Sequence, residues 1–453
     1  MVDIITHEQT TPTNRSSTTR RFFIGAATAA AASRVWGAND KINIGIVGLG
    51  GRGGNHLSTY PKIDGARVAG LCDVNQTARE VANGTLVKGG YDKAKEFEDM
   101  RAMFADPTID AVSIATPNHW HVLATIWAMK AGKDVYCEKP ACYNIHEGER
   151  VLQVARETKK IVQVGSQHRS TPFKMRAMEA IQGGVIGKVY SAKGLCYKRR
   201  VSIGHKADAP TPAGINWDLF LGPAPRRPFN ELRFKYNWHW FWDTGNGDIG
   251  NQGVHEMGIA RWALGDPSWP KTAVSTGGKY GPDDDQETPN TQLARFDYGD
   301  RELVFEVRGL LTGAEGVPAA PRRGAAAPTT TPLNVMVGDI IYGSEGWASQ
   351  SDQGVQFYRG EGSEMFREEK PTAGENTTKL HMENFLTGVR SRNMKDLHDP
   401  IDNAVLSAGL VHLANISYRT GRKLTVEPGL KFTGDPAATK MISRPAYSKG
   451  FEV

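Results

Sequence analysis

Four cysteines in 453 residues are too few for a disulfide scaffold, and none of Cys72, Cys137, Cys142 and Cys196 forms a CxxC pair. The spacing offers no zinc-ligand pattern, and no metal is expected. Cys72 and Cys137 end strand-like runs and read as small core residues. Long apolar runs are missing too: none is long enough to cross a bilayer. Nor is there an excess of one charge, since 55 basic and 49 acidic residues leave +6. The basic residues are scattered apart from pairs such as Arg226-Arg227 and Arg322-Arg323. Without a basic stripe there is no footprint for nucleic acid. What remains is the composition of a globular chain, long enough for two or three domains and a substantial core.

Residues 1–15 are polar and irregular, and an Ala-rich, mildly apolar stretch runs from Gly25 to Ala32. Between them stands Thr19-Arg20-Arg21-Phe22-Phe23-Ile24. Paired arginines, an aromatic just after them and a weakly hydrophobic segment match a twin-arginine export signal. An amphipathic helix of the folded part is the competing reading, but nothing before Lys41 has core periodicity. The expectation is a leader over 1–38, cut between Ala32 and Asn39. The twin-arginine translocase would be a partner, and the folded protein would reach the periplasm or another extracytoplasmic space.

Lys41–Val47 reads as a buried parallel strand and runs straight into Gly48-Leu49-Gly50-Gly51-Arg52-Gly53, with a helix following from Gly54 to Tyr60. A GxGxxG alone is weak among 50 glycines, but here it has its strand, tight turn and helix. Gly48 permits the turn, Gly50 lets backbone approach a pyrophosphate, and Gly53 lets helix and strand pack closely. The helix N-terminus adds N–H donors and positive dipole for phosphates. The second strand, Ala66–Cys72, ends at Asp73. An acid at that offset binds both ribose hydroxyls of adenosine and repels a 2′-phosphate, which favours NAD over NADP. A helix N-cap is the plainer role for Asp73, and Arg52 keeps NADP open.

Strand and helix go on alternating. Helices are expected at Asn75–Val81, Phe97–Phe104, His119–Lys130 and Asn144–Lys159. Strands are expected at Asp110–Ala115, Asp134–Cys137 and Ile161–Gly165. This pattern gives a doubly wound parallel sheet over 39–166, with ligands at the carboxyl ends of its strands. The expected cofactor contacts are therefore Gly48–Gly53, Asp73, Thr116, Pro117, Asn118, His121, Glu138, Lys139 and Gln167.

At this point the chain resembles the Gfo/Idh/MocA family of oxidoreductases. The likeness rests on GIVGLGGRGGNH, DAVSIATPNHWH at 110–121, YCEKP at 136–140, VGSQHR at 164–169, NWDLFLGPAP at 216–225 and GNGDIGNQGVHEM at 245–257. The resemblance implies a tightly bound NAD and chemistry on a sugar or polyol hydroxyl. It implies that Lys139 holds a substrate oxygen and that the peptide to Pro140 is cis. It places His255 as the base and puts Asn251 where similar proteins have an acid. Gly258 also stands where an Asp is common, and Asp248 is near enough to supply a carboxylate. A lysine at a sheet edge can stabilise a developing alkoxide, and a neutral imidazole can take a hydroxyl proton. The competing readings are a solvated Lys-Pro turn and a buried structural histidine.

From Lys188 the pattern changes to long alternating strands at 188–200, 291–298, 302–308 and 335–342. These predict an open, mostly antiparallel sheet in an α+β domain over 167–430. Such a sheet can pair with its twin, so a homo-oligomer is expected. Residues 312–332 are low-complexity and read as a mobile loop. Helices within 380–420 are expected to return to the first domain, and 431–453 reads as an irregular tail. Tyr197 and the aromatic run Trp238, His239 and Trp240 are candidate substrate contacts; sugar binding and plain core are equally open there. Three functions fit: a sugar or polyol dehydrogenase, a redox-neutral glycoside hydrolase working through a 3-keto intermediate, and a non-catalytic sugar-binding protein. Fold alone does not choose among them.

Overall fold

The first expected strand is buried on both faces: Ile42, Ile44 and Ile46 are wholly inaccessible on one, and Val47 is 1% exposed on the other. A strand covered on both faces is what a parallel sheet with helices on each side requires, and each such side chain contributes about 1.5–3 kcal/mol. The structure is a computed structural model that describes residues 41–313, 335–360, 364–427 and 429–453. All of them fall within one compact unit, Trp36–Val453. The leader at 1–38 lies outside the described residues, as does the low-complexity loop apart from residues 312–313.

The first sheet contains β1 (Ile42–Val47), β2 (Ala66–Cys72), β3 (Lys95–Phe97), β4 (Ala111–Ile114), β5 (Asp134–Cys137) and β6 (Val162–Val164). All pairings are parallel, and the order is β3-β2-β1-β4-β5-β6. The order reverses between β1 and β4, which opens a crevice at their carboxyl ends. Its helices are α1 (Gly51–Thr59), α2 (Gln76–Lys88), α3 (Met100–Ala105), α4 (His121–Lys130) and α5 (Ile145–Thr158). The helix expected at Phe97–Phe104 is corrected: Phe97 closes the short edge strand β3, and α3 starts only at Met100. The reason is local, because the Asp99 carboxylate accepts the Arg101 N–H at 2.9 Å and caps the helix there.

The second sheet has nine strands, four of which were expected. In chain order they are β7 (Val189–Cys196), β8 (Thr272–Gly278), β9 (Thr291–Asp297), β10 (Glu302–Arg308), β11 (Val337–Gly343), β12 (Gly346–Ser351), β13 (Gly354–Arg359), β14 (Met365–Glu369) and β15 (Leu424–Thr425). The order is β14-β13-β12-β11-β7-β10-β9-β8-β15. Among the described residues only the β7–β10 pair is parallel, so the sheet is mixed and mostly antiparallel. One face carries α6 (Pro172–Gln182), α9 (Gly253–Ala263) and part of α11 (Ile401–Thr420). Before α9 come the short helices α7 (Trp217–Leu221) and α8 (Gly247–Asn251).

Two helices tie the sheets together. Met382, Phe385, Leu386 and Val389 of α10 (Thr377–Ser391) pack into the core under β1 and β2. Ile401, Ala404 and Val405 of α11 join the β4–β6 side of the first sheet, while Leu410, Val411 and Leu413 join the core of the second. The last residues are not loose: Phe451 packs edge-on to Trp120, with ring centres 5.5 Å apart. Among the described residues no helix is long and apolar enough to cross a membrane.

Candidate functional site

The glycine-rich turn has the shape a dinucleotide needs. Gly48 adopts φ +83°, and a Cβ there would sit 2.7 Å from the Ala115 carbonyl oxygen. A Cβ on Gly53 would overlap the Gly48 carbonyl oxygen. Gly50, Gly51 and Gly54 instead face open space. The following helix α1 has no side-chain cap and no acid in its first turn, so its N–H groups remain available to an anion. By contrast, Asn75 caps α2 and Asn144 caps α5. At the end of β2 the Asp73 carboxylate accepts the N–H of Leu49 at 2.7 Å and of Asn75 at 2.8 Å. Burial, outweighing those bonds, lifts its pKa above the usual carboxylate value. A cavity of about 470 Å³ opens at this edge, lined in part by Gln76, Arg79, Glu98 and Trp217. An open phosphate cradle and an oriented acid at the ribose position fit NAD.

Four expected contacts, Arg52, Glu138, His121 and Asn118, have other partners. Arg52 keeps its main-chain place at the N-terminus of α1, but its guanidinium turns to Glu138 at 2.7 Å, with Gln167 at 3.5 Å. It does not stand beside Asp73, so it supplies no charge for a 2′-phosphate. Glu138 is correspondingly buried in an internal pair, bonded also to His56 at 3.0 Å. Burial pushes its pKa up, but Arg52 and His56 together hold it well below the usual range. His121 sets its two ring nitrogens on the carbonyl oxygens of Pro140 (2.7 Å) and Thr116 (2.9 Å). It braces two strand-end turns from behind. Asn118 is buried and donates to Asn246 at 3.1 Å, joining the β4 loop to α8. Thr116 and Pro117 are half-buried on the same turn.

The Lys139–Pro140 peptide is cis. The half-buried Lys139 ammonium donates to the main-chain oxygen of Asn251 at 2.5 Å and lies 3.4 Å from its Oδ1. The end of β5 therefore meets the turn between α8 and α9, from which His255 projects one helical turn on. Burial lowers the pKa of His255, and the nearby Lys139 and His168 lower it further, so the imidazole is neutral. Its Nδ1 is buried with no partner among the described residues. The His168 ring stands edge-on 5.0 Å away, its Nδ1 receiving the Lys174 ammonium at 3.0 Å. Burial lowers the Lys139 pKa as well.

Asn251 belongs to a tight polar cluster. Its Nδ2 donates to the Tyr236 hydroxyl at 2.9 Å and to Asp248 at 3.2 Å. Asp248 is already clasped by Arg200, at 2.8 and 2.6 Å. An amide is therefore needed at 251, because an acid could not donate to either neighbour. Gly258 bears on none of this: a Cβ there would approach Ser407 of α11 at 3.7 Å.

The aromatic run splits. His239 is buried beside Lys139, which with burial holds its pKa well below the usual value. Its Nδ1 must carry hydrogen, since it donates to the Tyr236 carbonyl at 2.6 Å, so Nε2 is left as an acceptor. Trp238 stacks on it at 3.5 Å, and Trp240 lies under the Arg200 guanidinium at 5.5 Å. Tyr197 is not part of the site. It follows β7 on the face turned away from α9, where its hydroxyl donates to Glu306 at 2.9 Å and its ring sits under Arg308. The alternation of a strand decides this, since side chains one residue apart face opposite ways. Sequence reasoning missed Tyr236, Arg200 and His168. Only the aromatic density around the first hinted at a site. Among the described residues no group of three or more His, Cys, Asp or Glu could hold a metal.

A family model described as "Oxidoreductase family, NAD-binding Rossmann fold" matches residues 42–166, and one described as "Oxidoreductase family, C-terminal alpha/beta domain" matches 178–283. The inositol 2-dehydrogenase of Rubrobacter xylanophilus is 32% identical over 153 residues, 33% of this chain and 42% of that protein. A glycosyl hydrolase family 109 protein of Shewanella putrefaciens is 25% identical over 154 residues, 33% of this chain and 34% of that protein. The chain thus spans less than half the length of these two relatives. A solved levoglucosan dehydrogenase, in complex with NADH and levoglucosan, superposes with a TM-score of 0.62 at 17% identity, covering 85% of this chain and 99% of that one. This last likeness shows the fold.

Proposed function

This chain belongs to the Gfo/Idh/MocA family of NAD-binding oxidoreductases, and from that premise we propose that it oxidises a secondary alcohol of a sugar, polyol or glycoside with tightly bound NAD, the hydride then being returned to a carbonyl of a second sugar. The observation that carries this reading is the junction of Lys139 with the Asn251–His255 turn at the cofactor edge. When bound, NAD accepts hydride from the carbinol carbon. The chain supplies the rest. The Lys139 ammonium binds the reacting oxygen and stabilises it as it gains negative charge. Neutral His255 takes the hydroxyl proton. The half-buried Trp238 ring, stacked on His239, offers a flat apolar face to a sugar.

A second reading is redox-neutral glycoside hydrolysis, in which oxidation to a 3-keto sugar, elimination of the aglycone, addition of water to the resulting enone and reduction of the ketone follow one another on retained cofactor. The Shewanella relative supports it. An exported enzyme with no outside supply of NAD would need such internal recycling. The export itself rests on Arg20-Arg21 and the apolar stretch after them.

Purified protein mixed with a panel of polyols, sugars and aryl glycosides separates the readings. A rise in reduced-nicotinamide absorbance with a polyol supports the dehydrogenase. Release of aglycone without net reduction supports the hydrolase. Neither response with any substrate sinks both. Replacing Arg20 and Arg21 with lysine should strand the precursor in the cytoplasm, and delivery of that variant outside would refute the export proposal.

A further inference from the structure

Tyr236 is half exposed (51%) at the site, yet its hydroxyl turns inward. The oxygen accepts from Nδ2 of Asn251 at 2.9 Å and from Nη1 of Arg200 at 3.4 Å. An amide nitrogen and a guanidinium can only donate. Both bonds therefore use lone pairs of the phenolic oxygen, and neither engages its hydrogen. The orientation of the Asn251 amide is fixed from two other sides. Its Oδ1 faces the Lys139 ammonium at 3.4 Å, and its Nδ2 faces the Asp248 carboxylate at 3.2 Å. A flipped amide would set donor against donor and acceptor against acceptor. Arg200 is held just as firmly, by both oxygens of Asp248. Two anchored donors thus fix the phenol, whose own hydrogen meets no acceptor among the described residues. Lys139 and Tyr236 occupy the two ends of one amide group, so the pair addresses neighbouring oxygens of a ligand.

We propose that Tyr236 is a substrate-binding residue that donates its phenolic hydrogen to a hydroxyl oxygen on the carbon next to the one oxidised, so that the site selects a vicinal diol. This rests on the alcohol-oxidising reading above and deepens it by naming the substrate feature recognised. Lys139 holds the reacting oxygen and Tyr236 its neighbour. The Tyr236 ring packs beside His239, with ring centres 4.6 Å apart, and the residue keeps half of its surface exposed.

The test compares wild type with Tyr236→Phe, which keeps the ring and removes only the hydroxyl. Each protein is assayed with a polyol that wild type oxidises and with the deoxy analogue lacking the neighbouring hydroxyl. Calorimetric binding of both compounds to the NADH-loaded proteins, in which the alcohol has no hydride acceptor, gives a readout without turnover. The preference for polyol over deoxy analogue, in kcat/KM and in Kd, should fall by roughly ten- to a hundredfold in the variant, the size of one hydrogen bond whose partner is otherwise unsatisfied. An unchanged preference, or an equal loss on both compounds, overturns the tyrosine assignment and leaves the oxidoreductase reading standing. If wild type neither binds nor oxidises any polyol or sugar, the oxidoreductase reading falls, and this one with it.

Discussion

Along the cofactor edge, between Gly48 and Asp73, the working parts are main chain. Glycines leave room for phosphate, N–H groups point outward, and the one acid is aimed by two backbone bonds. Across the crevice, from Tyr236 to His255, the working parts are side chains that hold one another over long separations. Lys139 reaches Asn251 across 112 residues, and Arg200 reaches Asp248 across 48. The two regions fail in different ways. The first is damaged by added volume, the second by a lost donor or a misplaced charge.

The largest effect is expected where a side chain is added to the cofactor edge. Gly53→Ala should cost on the order of 3 kcal/mol of stability through overpacking and abolish NAD retention, read from thermal unfolding and from the absorbance of the purified protein. An alanine variant that keeps NAD would show that the turn is less constrained than its geometry states. Next come the two groups where the regions meet. Lys139→Met and His255→Ala should each lower turnover by about 10²–10⁴-fold, while His255→Ala keeps its NAD. Full turnover in either variant would remove it from the mechanism.

Asn251→Asp sharpens the contrast further. By family pattern it restores an acid, but here it places a carboxylate against Asp248 and deprives Tyr236 of a donor. Turnover should fall by roughly ten- to a hundredfold, the cost of an unsatisfied charged bond. A gain instead would mean that Asp248 is not held by Arg200 in solution. Asp73→Ala tests the acid of the cofactor edge. It should weaken NAD by about tenfold and narrow the preference over NADP. Equal affinities for both cofactors in wild type would remove the ribose assignment.

The smallest effect concerns pH. Glu256, the neighbour of His255 on α9, is buried with one oxygen unpartnered among the described residues, and burial pushes its pKa from 4.5 to about 8. The folded state therefore holds this proton more tightly than the unfolded chain. Stability from this group is full below pH 4.5 and is lost as pH rises through about 8. Glu256→Gln should flatten the decline in apparent Tm between those limits. An unaltered decline would assign it to other groups.

The cofactor edge was legible because its function is written in consecutive residues. A strand, three spaced glycines and an acid after the next strand need no knowledge of distant neighbours. The paired histidine and lysine were legible only through resemblance, since residues 139 and 255 share no local pattern. Arg52 and His121 sit inside readable motifs, yet their side chains face Glu138 and two carbonyls. Sequence position names a loop but does not aim a side chain. Tyr197 shows the same limit, one residue of strand alternation deciding which face it joins. Edge strand β3 and strands β8 and β12–β15 were not foreseen, because short polar or glycine-bounded segments carry little periodicity and are fixed by the strands beside them.

By itself, then, the sequence determined the parallel first sheet, the phosphate turn and the acid at the ribose position, because burial patterns and the absence of Cβ atoms act within a few residues. The tertiary structure alone decided that Asn251 must be an amide, that Asp248 is tied to Arg200, and that the Tyr236 oxygen accepts from both Asn251 and Arg200. Donor and acceptor roles are settled only when groups from separate elements face one another, and no local pattern encodes that encounter.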